Sequence, residues 1–164
     1  MKEPGRTLGK RRMAREMAVQ MLFQLDLAES PLEVVVETFD VDDFLIERAQ
    51  ESSAGRRPAE ADSRAALEHA RELVRGTRSH LAQIDELIRQ QAEHWRLERM
   101  PAVDRNVLRL AVFEMLYETD VPKLVVVDEA VELAKMFGSD QSGRFVNGLL
   151  DGLLHAHEFP GSLQ

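Results

Sequence analysis

The stretch Val103-Asp104-Arg105-Asn106-Val107-Leu108-Arg109-Leu110-Ala111-Val112-Phe113-Glu114-Met115-Leu116 decides the fold class. Wound as a helix, it places apolar residues on nearly every side, and such a helix is buried over most of its surface. It belongs at the centre of a helical fold. Pro101 suits its first turn, where the missing N–H would be unpaired anyway. Arg109 and Glu114 interrupt the apolar surface. A lone charge is costly to bury, so each needs a partner, and ion pairs that lock helices account for them better than catalysis does.

Helical spacing continues on both sides of this stretch. Downstream, Asp120-Val121-Pro122 makes a turn. Leu124 to Val127 is β-prone by propensity, but Glu129 to Phe137 is strongly helical. Gly138 is a natural stop. Ser139 or Asp140 then caps a last helix to about His157. Upstream, Asp62 or Ser63 caps a long helical stretch to about His94, which Gly76-Thr77 breaks in two, with Ser79 as a second cap. Glu51 to Ala61 contains Ser52-Ser53, Gly55 and Pro58 and reads as a mobile connecting loop. Before it come a helix from about Arg12 to Ala28 and a weaker one from Leu32 to Gln50. The sum is an all-α bundle of about seven helices and no convincing strand, one domain over residues 1–164 with residues 1–11 as a flexible basic arm.

The 164-residue chain is long enough to bury a core without a staple. It has no cysteine, which excludes disulfides, thiolate zinc sites and cysteine nucleophiles. No segment approaches ~18 consecutive apolar residues, and the first residues hold no apolar run of signal-peptide length. The expectation is a soluble, cytoplasmic protein.

The net charge of -8 argues against bulk nucleic-acid binding, but its distribution is uneven. Residues 1–15 hold six basic side chains against Glu3 alone, a local +5, while the other 149 residues carry 15 basic and 28 acidic ones. An acidic body with a basic segment points to a local phosphate site. A basic leader that only aids solubility is the competing reading.

Signals for catalysis are weak. His155 and His157 lie two residues apart and point in different directions on a helix, so surface histidines are the simpler reading. His69, His80 and His94 have no partner at a catalytic spacing. Gly143, Gly148 and Gly152 form no phosphate-cradling loop, and the carboxylates scatter over helix faces. No metal site, cofactor site or active site is expected.

Signals for binding are stronger. At ~100° per residue from Ala14, Ala14, Met17, Ala18, Met21, Leu22 and Leu25 make the first helix's buried stripe. Arg12 and Phe23 fall near 160° and 180°, with Arg15 near 100°. Arginine can neutralise phosphate and an aromatic face can stack an unpaired base, which is the pattern of a single-stranded RNA site. Packing of Phe23 against a neighbouring helix is the alternative. In the last helix, Arg144, Phe145 and Asn147 follow the polar turn Ser139-Asp140-Gln141-Ser142-Gly143, where free backbone N–H groups favour anions.

Two sets of residues together resemble the Nus factor B (NusB) family over almost the whole chain. One is Arg11-Arg12-Met13-Ala14-Arg15-Glu16-Met17-Ala18-Val19-Gln20-Met21-Leu22-Phe23. The other is Val103 to Glu114, then Asp120-Val121-Pro122, Val125 to Gly138 and Phe145-Val146-Asn147-Gly148. The Glu51 to Ala61 loop is longer than the family usually has, and Met13 interrupts the basic run. The resemblance implies two packed three-helix subdomains plus a short extra helix. It implies no enzymatic activity but binding of boxA RNA in ribosomal RNA leaders, heterodimerisation with NusE (a ribosomal small-subunit protein), and assembly of an antitermination complex on bacterial RNA polymerase. It assigns Arg11, Arg12, Arg15, Phe23 and Phe145 to RNA, and Glu98 and Asp104 to NusE; Arg144 joins the RNA-binding set from its place after the anion-favouring turn of the last helix. A homodimer stays open. Two alternatives also stay open: an accessory domain of a ribosomal RNA methyltransferase system, and a purely protein-binding helical scaffold.

Overall fold

In the computed structural model, which describes residues 4–51, 60–93 and 95–161, every regular element is helical. Eight α-helices are described: α1 Pro4–Leu27, α2 Leu32–Thr38, α3 Val41–Glu51, α4 Glu60–Ser79, α5 Leu81–Gln91, α6 Ala102–Tyr117, α7 Lys123–Phe137 and α8 Asp140–Ala156. A 3₁₀ turn, Leu97–Arg99, lies between α5 and α6. The chain divides into two units, Met1–Val74 and Arg75–Gln164.

The second unit is built around α6, as its apolar surface requires. Every residue from Asn106 to Met115 is buried, and α5, α7 and α8 all pack on this helix. Arg109 finds its partner in α5: Nε and Nη2 donate to Asp85 Oδ1 and Oδ2 at 2.8 and 3.0 Å. Both side chains are buried, so the planar fork meets the carboxylate bidentately inside the unit. Leu124 to Val127 is helical despite its β propensity, because Val126 and Val127 are buried on the inner side of α7. Ser139 is the cap of α8, accepting from the Ser142 N–H at 3.2 Å.

In the first unit, the apolar stripe of α1 supplies Ala14, Met17, Ala18, Met21, Leu22 and Leu25 to the core, with Val35, Val36, Phe44, Leu45 and Leu73 from the other helices. Polar ties join the elements. Arg48 of α3 grips Glu16 of α1 with Nε–Oε1 at 2.7 Å, and Arg71 of α4 donates to the Val36 carbonyl at 2.8 Å.

Four expectations change. The first helix begins at Pro4 rather than near Arg12, so residues 4–11 of the expected arm are helical. The span from Leu32 to Gln50 is two helices, not one. Phe39 and Asp40 leave the helix, and the Asp40 carboxylate caps α3 by accepting from the Asp43 N–H at 2.9 Å. Of the expected loop, Glu51 closes α3 and Glu60 opens α4, ahead of both Asp62 and Ser63; residues 52–59 lie outside the described residues. Finally, α4 runs straight through Gly76-Thr77 and ends at Ser79. Gly76 is there for space: a Cβ would sit 2.2 Å from Cζ of Phe113.

Candidate nucleic-acid interface

The sequence-derived residues divide between the two units, and each set has its own geometry. On α1, Arg12 is exposed and Arg11 and Phe23 are half-buried. Eleven residues along a helix bring the direction round to within ~20°, so Arg12 and Phe23 share a face about 16 Å apart. That spacing suits an extended strand, with a cation at one end and a ring at the other.

Arg15 does not join them. It is only 2% exposed, and every residue from Met13 to Val19 is buried. The helical wheel treats α1 as a surface helix with one apolar stripe, but over these two turns it is covered all round. Val19, which the same wheel puts near 140° from the stripe, is equally enclosed. Arg15 as a phosphate-contacting residue is therefore corrected: its guanidinium is part of the interior. Glu16 beside it is also buried, and burial pushes its carboxyl up from the ordinary carboxylate range against the opposing pull of Arg48.

In the second unit, α8 presents Arg144, Asn147 and Gly148 to solvent, with Phe145 half-buried between. The glycines of this helix have different causes. A Cβ at Gly143 would meet the Lys135 stem at 2.8 Å, and one at Gly152 the Gln91 amide at 2.2 Å, so both allow close packing within the unit. At Gly148 a Cβ would meet nothing within 4 Å. His155, near the end of α8, bonds through Nδ1 with the Asp151 carbonyl at 2.8 Å, while the His157 ring lies 6.4 Å from that of Phe159.

Phe145 has a neighbour that sequence reasoning missed. Trp95 lies edge-to-face with it, ring centroids 6.0 Å apart and planes at 75°. Trp95, Arg96, Arg89, Glu93 and Glu98 line an open cleft. The segment is held from beneath. Arg105 of α6 donates from Nη1 to the carbonyls of Leu97 and Met100 at 3.1 and 3.0 Å, and Leu97 is buried. Arg89 of α5 donates to Glu98 Oε1 at 3.1 Å. Its own backbone N–H and then Arg89 hold the exposed Glu98 carboxyl below the usual range, so it is an acceptor at neutral pH. The available signal was a lone tryptophan flanked by Arg96 and Arg99 outside any apolar periodicity.

Of the two acidic residues assigned to a protein partner, Glu98 is exposed. Asp104 is not: it is 4% exposed in the first turn of α6, with Oδ1 buried and making no hydrogen bond. A carboxylate is favoured there by the positive helix end, and the packing encloses it. Asp104 as a surface contact is corrected accordingly.

Each unit thus presents arginine and an aromatic ring of its own, on an all-helical scaffold whose described helices include none long and apolar enough to cross a membrane. Comparison with known proteins places that scaffold. The NusB family model matches residues 12–155, so the chain belongs to the NusB family. It is 44% identical over 144 residues to the transcription antitermination protein NusB of Myxococcus xanthus, covering 88% of this chain and 94% of that relative. Among solved structures it is similar to T. maritima NusB, with TM-score 0.69 at 36% identity over 96% of this chain and 94% of that one. It is also similar to a chain in a crystal structure of the antitermination factors NusB and NusE in complex with dsRNA, with TM-score 0.68 at 25% identity, covering 90% of this chain and 98% of that one.

Proposed function

We propose that this chain is a cytoplasmic transcription antitermination factor that binds boxA RNA together with NusE and joins the antitermination complex on RNA polymerase. It acts by binding, without catalysis. The observation that carries this reading is the likeness, over 90% of the chain, to a NusB solved with NusE and dsRNA. The site chemistry supports it: cations at Arg11, Arg12 and Arg144 for phosphate, and rings at Phe23 and Phe145 for unpaired bases. Glu98 faces the partner protein. Arg15 and Asp104 serve the fold.

The test is fluorescence anisotropy of a labelled boxA-like RNA of about 12 nucleotides against a scrambled control, with and without NusE, at several salt concentrations. About three phosphate contacts give a log–log salt slope near -2, at ~0.7 per contact on a single strand. Preference for boxA that tightens with NusE is expected. A flat salt response would remove the phosphate-contact mechanism, and no binding by the folded protein would remove the RNA reading.

A further inference from the structure

Trp95 is the only tryptophan in the chain, and it is 63% exposed. A large aromatic side chain ordinarily contributes its area to a core. Here the fold holds the backbone rigidly and leaves the ring outside. The Trp95 N–H donates to the Ala92 carbonyl at 3.1 Å, and the following turn is tied down by Arg105 and by buried Leu97. An edge-to-face contact with Phe145 uses at most one face of either ring, so π surface remains for a third partner.

We propose that Trp95 is a base-stacking subsite for an unpaired nucleotide of RNA, extending the surface of Phe145 and Arg144 into the cleft before α6. The inference rests on the RNA-binding reading above and adds a residue and a direction to it. The chemistry around the indole matches a nucleotide part by part. The ring offers a flat π face for the base. The exposed Arg96, next in sequence, and Arg144 offer charge for the backbone phosphates. Glu93 is a carboxylate in the same cleft, able to accept from an amino group on a base edge. An apolar side chain would use the ring alone, whereas a nucleotide uses all three. Gly148, three residues beyond Phe145 on α8, leaves the helix surface open on the same element, so a backbone can approach closely.

A lone tryptophan is also its own reporter. The 164-residue chain is titrated with the boxA-like RNA while indole emission and the anisotropy of labelled RNA are followed in parallel, for the natural chain, Trp95→Ala and Trp95→Phe. Stacking is expected to quench the indole with the same midpoint as the anisotropy. Trp95→Ala should weaken RNA binding about 5- to 150-fold, the range for one stacked base, and Trp95→Phe should recover most of that. Thermal melts followed by circular dichroism establish that the variants fold; if Trp95→Ala does not, quenching and Trp95→Phe decide the matter. A rise in anisotropy with unchanged emission and undiminished affinity of Trp95→Ala would overturn the subsite while leaving RNA binding intact. No anisotropy change with or without NusE would overturn both. Loss of NusE affinity in Trp95→Ala at unchanged RNA affinity would make the cleft a protein-docking surface and overturn the base assignment.

Discussion

Two glycines inside helices should respond to the same substitution with opposite sign. In a helix interior, Gly→Ala gains up to about 1 kcal/mol from reduced backbone freedom in the unfolded chain and better helix propensity. Gly148, in the middle of α8, should show that gain in full, because a Cβ there meets nothing within 4 Å. Gly76, in the last turns of α4, should not. A Cβ there would lie 2.2 Å from Cζ and 2.5 Å from Cε1 of Phe113. Ordinary carbon contacts are about 3.5–4.0 Å, so the ring would have to retreat by about 1.5 Å. It has little room: Phe113 is buried and lies against Tyr117 and His80, with centroids 5.3 and 6.2 Å away. Overpacking of this kind costs about 1–3 kcal/mol, which outweighs the propensity gain and leaves Gly76→Ala destabilised by about 0–2 kcal/mol. Urea unfolding of both variants measures the difference, and melting temperatures should separate by about 2–4 °C per kcal/mol at this chain length. Phe113→Leu supplies the control. In that background the added methyl has space, so the penalty of Gly76→Ala should vanish, and the cycle should return a coupling of about 1–3 kcal/mol. Equal stabilisation by both alanines, or no coupling to Phe113, would refute the contact as the reason for Gly76.

Arg109→Met strands Asp85 in the interior of the second unit and should cost about 3–5 kcal/mol in denaturant unfolding, with much of it recovered when Asp85→Leu is added. Glu16 has a raised carboxyl in the folded state, so its protonation favours folding; that contribution is present below the ordinary carboxylate range and lost as pH rises through the raised value. Unfolding of the natural chain and Glu16→Gln should therefore show the natural chain gaining on the variant as pH falls from neutral toward that range, and a constant difference would contradict the shift. Arg12→Ala should weaken RNA binding with the smaller change in melting temperature, whereas the buried Arg15→Ala should lower melting temperature more while the folded fraction keeps its affinity; anisotropy and calorimetry on the same samples distinguish the two.

The helical class and the centre of the second unit were legible because α6 is apolar all round, a pattern that only a helix enclosed by others satisfies. The caps at Ser139 and the partner for Arg109 followed from local polar demands in the same way. The break at Phe39-Asp40 was hidden because the apolar spacing runs across it, and only the pairing of the Asp40 carboxylate with the Asp43 N–H ends one helix and begins the next. Gly76 was misread as a breaker because its reason lies 37 residues away in sequence, at Phe113. Arg15 and Asp104 were placed on surfaces by helix direction and family resemblance, but burial is a property of the neighbours as much as of the helix itself. Trp95 was overlooked because it belongs to no periodic segment, and its position depends on Arg105 reaching back from the next helix.

The Arg105 clasp bears on how association is divided between enthalpy and entropy. Residues in an unrestrained connecting segment lose about 1–2 kcal/mol each of conformational freedom when a partner fixes them. Between Trp95 and Met100 much of that ordering has already taken place on folding, against the first turn of the central helix of the second unit. A partner that lands on this segment meets a preorganised surface, so the interaction energy of its contacts is retained in the affinity. Loosening the clasp without touching the ring, as in Arg105→Lys, should then appear in calorimetry as a larger unfavourable entropy of binding at nearly constant enthalpy.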